Sequence, residues 1–251
     1  MKAMLQKELK EILRTYRWLL LPCVFLVLGL GQPIAFKLMP EILKNSLPPG
    51  TTLVMPPTAP MDVLKATLGQ FNQMGVLMVI LVVMGTVAQE KASGVAAAVL
   101  VKPVARGAYL AAKFFACSLL AAVAFWLGLG ASAYYTQALI GPVDWQAAWS
   151  GGLVYLLYLL ITVALAILAS TLFSGQASAG GAALLGILAL TLLPKLASWS
   201  ERLFPGALIG QAEKIFAGKE PELLWQPLAF NAGLIVVLLT AAVLILKRQE
   251  L

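Results

Sequence analysis

Residues 76–84 read VLMVILVVM, nine apolar side chains with no polar one among them. Strands of a membrane barrel alternate apolar and polar residues, because successive side chains face lipid and lumen. A helix buried all round carries no such alternation. Backbone groups find no water in hydrocarbon, so a spanning segment must be a helix or a strand of a closed barrel. The run decides for helix. It lies inside an apolar stretch over residues 69–89, and at a rise of about 1.5 Å per residue roughly 20 residues cross a hydrocarbon layer of about 30 Å.

Outward from it, five more stretches have the same character: residues 18–36, 109–131, 153–172, 177–193 and 228–246. The whole 251-residue chain is 61% hydrophobic and 12% charged, with a mean hydropathy of +0.89. Those values lie outside the range of soluble domains. No internal repeat, low-complexity tract or domain-sized linker breaks the pattern. The expectation is one transmembrane domain over residues 1–251, all-α and polytopic, with six transmembrane helices.

The charges give that bundle an orientation. Residues before the first span, between the second and third, and after the sixth hold eleven Lys and Arg against four acidic residues. The other side holds seven of each, so the net charge of +7 falls on one face. Lys and Arg concentrate on the cytoplasmic side of membrane proteins. Both termini are therefore expected in the cytosol. A nucleic-acid partner would need a basic soluble surface with base-reading elements, and none is present.

Residues 1–17 form a unit of their own. Leu5, Leu9, Ile12, Leu13 and Tyr16 recur at helical spacing among Lys2, Lys7, Lys10, Arg14 and Arg17. This is expected to be an amphipathic interfacial helix with its apolar stripe in the lipid headgroup layer. A signal peptide cleaved near Gly31 is the weaker reading, since the apolar run continues to Phe36.

Few residues offer chemistry. Histidine is absent, which removes the commonest general base and the commonest zinc ligand. Cys23 and Cys117 lie inside spans at a separation that suits neither a disulfide framework nor a metal motif. Gln70, Asn72, Gln73 and Asn231 are among the few polar residues within spans, each near a span end, and Lys113 lies near the cytosolic end of the third. The amides read first as helix-to-helix hydrogen bonds. No carboxylate sits at mid-depth, where ion-coupled carriers keep one. No G-x-x-x-x-G-K-[ST] phosphate loop occurs, so the chain should not hydrolyse ATP itself, and no cofactor is expected in it.

The connections differ in kind. Residues 37–68, with Pro48, Pro49, Gly50, Pro56, Pro57 and Pro60, read as an irregular outer loop. Phe173 to Gln176 force a tight hairpin between the fourth and fifth spans. Residues 194–227 are too polar to span and too apolar to float free, so a re-entrant or surface-lying helix is expected there.

From Gln89 the inner connection reads QEKASGVAAAVLVKPVARGAYLAAK. An acidic residue closes the second span, a glycine and a leucine-bearing short helix follow, then a proline, an arginine, and a lysine entering the third span. These are Glu90, Gly94, Leu100, Pro103, Arg106 and Lys113. The pattern resembles the signature region of type 2 ATP-binding-cassette exporter permeases, the ABC-2 permease family, departing from it at Ala96 to Ala98. The likeness implies a permease subunit of an exporter in a bacterial plasma membrane. It would work as a homo- or heterodimer with a second permease subunit, surrounded by membrane lipid, and be driven by separate ABC ATPase subunits that bind the ATP. Those subunits would dock on the helix between Lys91 and Lys102, and Glu90 would pair with Arg106 or Lys113. A polytopic membrane enzyme and a non-transporting accessory subunit are the alternatives.

Overall fold

The computed structural model describes residues 2–46, 58–95, 105–196, 202–219 and 225–249. Eight helices organise them: α1 (Lys2–Arg14), α2 (Arg17–Ser46), α3 (Pro60–Ala92), α4 (Arg106–Leu139), α5 (Trp145–Leu172), α6 (Gln176–Leu192), α7 (Pro205–Phe216) and α8 (Trp225–Arg248). Among the described residues there is no strand. Five helices are long and apolar enough to cross a membrane, namely α2, α3, α4, α5 and α8. The segment expected as a fifth span is α6, an apolar helix of 17 residues and thus shorter than the rest.

Local chemistry sets the helix ends. Pro60 and Pro205 occupy first-turn positions of α3 and α7, where a missing N–H costs nothing. Asp144 caps α5, its carboxylate accepting from the Ala147 amide at 3.1 Å. Phe173 leaves the helical region and Gly175 opens α6, giving the tight hairpin read from the sequence. The expected outer loop shrinks from both ends. α2 runs ten residues beyond Phe36, since Lys37 to Ser46 continue its turns despite Pro40, and α3 starts at Pro60. The prolines and glycine at 48–50, 56 and 57 lie outside the described residues.

α3 is irregular in two places. Residues Phe71–Gly75 form a π-turn, which inserts one extra residue into the ladder. Near Met84 the ladder opens again, and Ser170 of α5 fills the gap. Its hydroxyl donates to the Met84 carbonyl at 2.6 Å and accepts from the amides of Val87 and Ala88 at 3.1 and 2.9 Å. A side chain from the neighbouring helix thus supplies the bonds the kink removes.

The core is a file of rings across four helices. Phe25 of α2 meets Phe71 of α3 at 4.9 Å, Phe71 meets Phe125 of α4 at 5.8 Å, and Phe125 meets Tyr155 of α5 at 5.4 Å. All four are fully buried. Beside the file, α2 and α4 touch backbone to backbone. A Cβ on Gly29 would lie 2.2 Å from the Gly128 carbonyl oxygen, and one on Gly128 would lie 2.5 Å from that of Phe25. Only glycine fits this crossing, as in helix pairs packed within lipid. The buried Thr67 and Ser132 hydroxyls share a 2.7 Å hydrogen bond between α3 and α4. Outward, large apolar residues such as Val27, Leu119, Leu153, Leu185 and Val236 are exposed. An exterior of this kind suits contact with lipid.

Interhelix bonds fix which helix ends share a side. Lys7 reaches Glu90, Arg106 reaches the Leu246 carbonyl, and Gln249 reaches the Thr171 carbonyl. The start of α2, the end of α3, the start of α4, the end of α5 and the end of α8 therefore meet at one end of the bundle, here the near end. α7 packs against α5 at the far end: Phe216 lies where a Cβ on Gly151 would meet it. A helix thus stands in the connection expected to hold one.

Candidate functional site

The near end is built around ions. Glu90 sits in the last turn of α3 and is only 7% exposed; Lys113 sits two turns into α4 and is fully buried. Their closest charged atoms are 3.1 Å apart. The sequence offered Arg106 or Lys113 as the partner of Glu90, and the structure takes Lys113. Arg106 instead donates to the Leu246 carbonyl of α8 at 2.7 Å.

Two further members come from α1. Glu8 accepts from Lys113 through both carboxylate oxygens at 3.1 Å, and Lys7 donates to Glu90 at 2.6 Å. Lys7 also lies 3.4 Å from Glu8 and 3.7 Å from Glu11. The Tyr109 hydroxyl, one turn before Lys113, donates to the second oxygen of Glu90, and the Lys113 ammonium lies 5.0 Å over the Tyr109 ring. Oxygens of Glu8, Glu11 and Glu90 come within 4.8 Å of one another. Such a carboxylate trio could ligate a cation, but the ammoniums of Lys7 and Lys113 already occupy the space between them. Burial opposes the charge on Lys7, yet the hydrogen bond to Glu90 and the field of Glu8 and Glu11 outweigh it. The Lys7 pKa therefore rises above its ordinary value. A raised lysine pKa contributes stability below pH 10.5 that is lost only as pH climbs through the raised value, so the Lys7 bonds persist at neutral pH.

Helical register explains why α1 docks this way. Met4, Glu8 and Ile12 repeat every four residues and share the face turned to the bundle, where Met4 and Ile12 pack against the core. The apolar stripe assigned from the sequence divides accordingly. Leu5 and Leu9 are half-buried, while Leu13 and Tyr16 point away and are exposed. The contact face of α1 is thus centred on a glutamate, which the stripe reading did not single out. Its signal was a carboxylate in phase with two apolar neighbours.

The flanks of the inner connection are tied down as well. Lys91 donates to the Thr171 carbonyl at the end of α5 at 2.8 Å, and Arg106 caps α8 as described. Both are cations on the carbonyl end of a helix, where the helix dipole favours them. Gly94 is exposed with φ +73°, a conformation suited to glycine, and an added Cβ would meet nothing within 4 Å. A larger residue there would strain the backbone and would not crowd a neighbour. Leu100 and Pro103 lie outside the described residues, as does most of the expected docking helix.

The remaining span amides scatter. Asn231 donates to the carbonyls of Leu203 and Pro227 at 2.7 and 2.8 Å, a structural role. Asn72 and Gln73 lie in the π-turn of α3 and line a far-end cleft. Cys23 and Cys117 are free thiols.

Aligned apolar helices, an apolar exterior and a buried charge cluster at one end define a multi-pass membrane protein. The chain belongs to the family described as protein of unknown function (DUF2705), whose profile matches residues 56–251. It is also 30% identical over 260 residues to the uncharacterized transmembrane protein YxlG of Bacillus subtilis (strain 168), covering 100% of this chain and 98% of that one. These matches correct the ABC-2 family assignment drawn from residues 89–113. The six residues that carried it are ones any helix–loop–helix at a membrane boundary can use. They comprise an acid at a helix end, a positive-φ glycine, a leucine, a proline, and two cations on carbonyl or carboxylate groups.

Proposed function

We propose that the chain is a permease-type membrane subunit whose helices contribute a translocation path, with energy supplied by separate ATP-hydrolysing subunits at the near end. On this reading the near end faces the cytosol of the plasma membrane, as the charge bias favours. The short α6 crosses together with the five longer helices, and a second permease subunit completes the path.

The observation that carries the reading is the buried cluster of Lys7, Glu8, Glu90, Tyr109 and Lys113. Desolvating charges is costly, and a membrane protein keeps ionisable residues within its helices mainly where they act. This cluster joins α1, the end of α3 and the start of α4, so a push on the inner connection reaches three helices together. A partner protein docked between Lys91 and Arg106 would have that lever. Lys91 and Arg106 extend it to the ends of α5 and α8.

The test is reconstitution in vesicles with the nucleotide-binding subunit that co-purifies with the chain. The isolated chain should show no ATP turnover. In the complex, Glu90→Gln should leave hydrolysis running while substrate movement falls about tenfold, equivalent to about 1.4 kcal/mol of lost coupling. Hydrolysis by the isolated chain, or a Glu90→Gln complex that transports at the wild-type rate, would overturn the reading.

A further inference from the structure

At the far end, a cleft of about 740 Å³ opens between α3, α6 and α7. Asn72 at its wall precedes Glu90 by eighteen residues on the same helix, so the cleft stands about 27 Å from the ion cluster. Its size is that of a site for one small ligand.

The lining is graded. Val76 of α3, Ile187 and Leu188 of α6 and Ile209 of α7 supply apolar wall. Asn72 and Gln73 add two amides from the π-turn, a local irregularity that recurs at functional positions. The Asn72 Oδ1 is buried and has no hydrogen-bond partner among the described residues. A buried acceptor left unmatched is costly, and beside a cleft a water or a ligand donor can complete it. Arg202, Glu213 and Lys214 line the cleft too and are exposed, which leaves one net positive charge towards solvent.

We propose that this cleft binds a mono-anionic, single-chain amphiphile carrying a hydroxyl or amide donor. The anionic head would lie at Arg202 and Lys214, the donor would complete Asn72 Oδ1, and the tail would run along Val76, Ile187, Leu188 and Ile209. The graded lining carries this: a soluble anion would leave the apolar wall uncovered, and a pure hydrocarbon would leave Asn72 and the cations unmatched.

The experiment uses the full chain in nanodiscs with fluorescent lysophosphatidylglycerol, which has one tail, one phosphodiester charge and free hydroxyls. It needs no ATPase, so its failure would leave the transport reading to be judged separately. Saturable binding of one molecule per chain is expected, weakened about tenfold by Asn72→Leu and by the exposed-residue pair Arg202→Glu/Lys214→Glu. Unlabelled lysophosphatidylcholine should compete poorly, and glycerol phosphate not at all. Equal competition by lysophosphatidylcholine, full competition by glycerol phosphate, or non-saturable uptake unchanged in both variants would overturn the proposal.

Discussion

The ion cluster at the near end and the cleft at the far end treat polar groups in opposite ways. At the near end three carboxylates, two ammoniums and a phenol are brought together so that each buried charge has two or more partners. At the far end an amide from a π-turn keeps a buried acceptor without one, beside an open cleft. The same α3 serves both, Asn72 near its first third and Glu90 in its last turn. A saturated cluster holds elements in one arrangement, because removing any member strands the others. An unsaturated wall has free energy left to gain from a ligand. The contrast therefore separates an end that holds its shape from an end that can receive something.

The largest expected effect breaks the near end. Lys113→Met would take the fully buried cation from between Glu8 and Glu90 and leave them only the half-exposed Lys7, and loss of one partner from a buried ion pair typically costs about 3–5 kcal/mol. Thermal unfolding in detergent should show a large drop in midpoint, and a change within error would mean the cluster is solvated. The far end should respond with the opposite sign. Asn72→Leu removes an unmatched acceptor and should stabilise the chain by about 1 kcal/mol in the same assay. A loss of stability there would show that Asn72 is structural and would erase the contrast. The smallest effect tests the edge of the near end. Gly94→Ala should cost about 1 kcal/mol through its left-handed backbone, and Gly94→Asn about half that. Equal tolerance of alanine and asparagine would show that the connection does not hold that conformation.

Much of the fold was legible because run length and apolar continuity are local properties. The helices at 18–36, 69–89, 109–131, 153–172 and 228–246 all exist within longer ones, and the hairpin after Leu172 follows from its four residues. The extension of α2 past Lys37 was not legible, since charged residues end a hydropathy window without ending a helix. Glu90 and Lys113 stood out as charges at span ends, and the structure pairs them. Lys7 and Glu8 did not, because on an isolated helix they look like its solvated face; only docking against α4 shows that Glu8 belongs with Met4 and Ile12. The π-turn was hidden for a similar reason: one inserted residue changes which way Asn72 faces without changing composition. The family assignment rested on residues that cap and close helices, a role shared by unrelated membrane proteins.

The claim that the near end is one charge-fastened unit is tested most directly by hydrogen–deuterium exchange of the wild-type chain and Lys113→Met in nanodiscs. If Glu8 and Lys7 hold α1 through the cluster, amides of residues 4–12 should exchange at least about tenfold faster in the variant, matching about 1.4 kcal/mol or more of lost local protection. Amides of α7 at the far end should be unchanged. Equal exchange of α1 in the two proteins would contradict the account, because α1 would then be held by lipid and apolar packing alone.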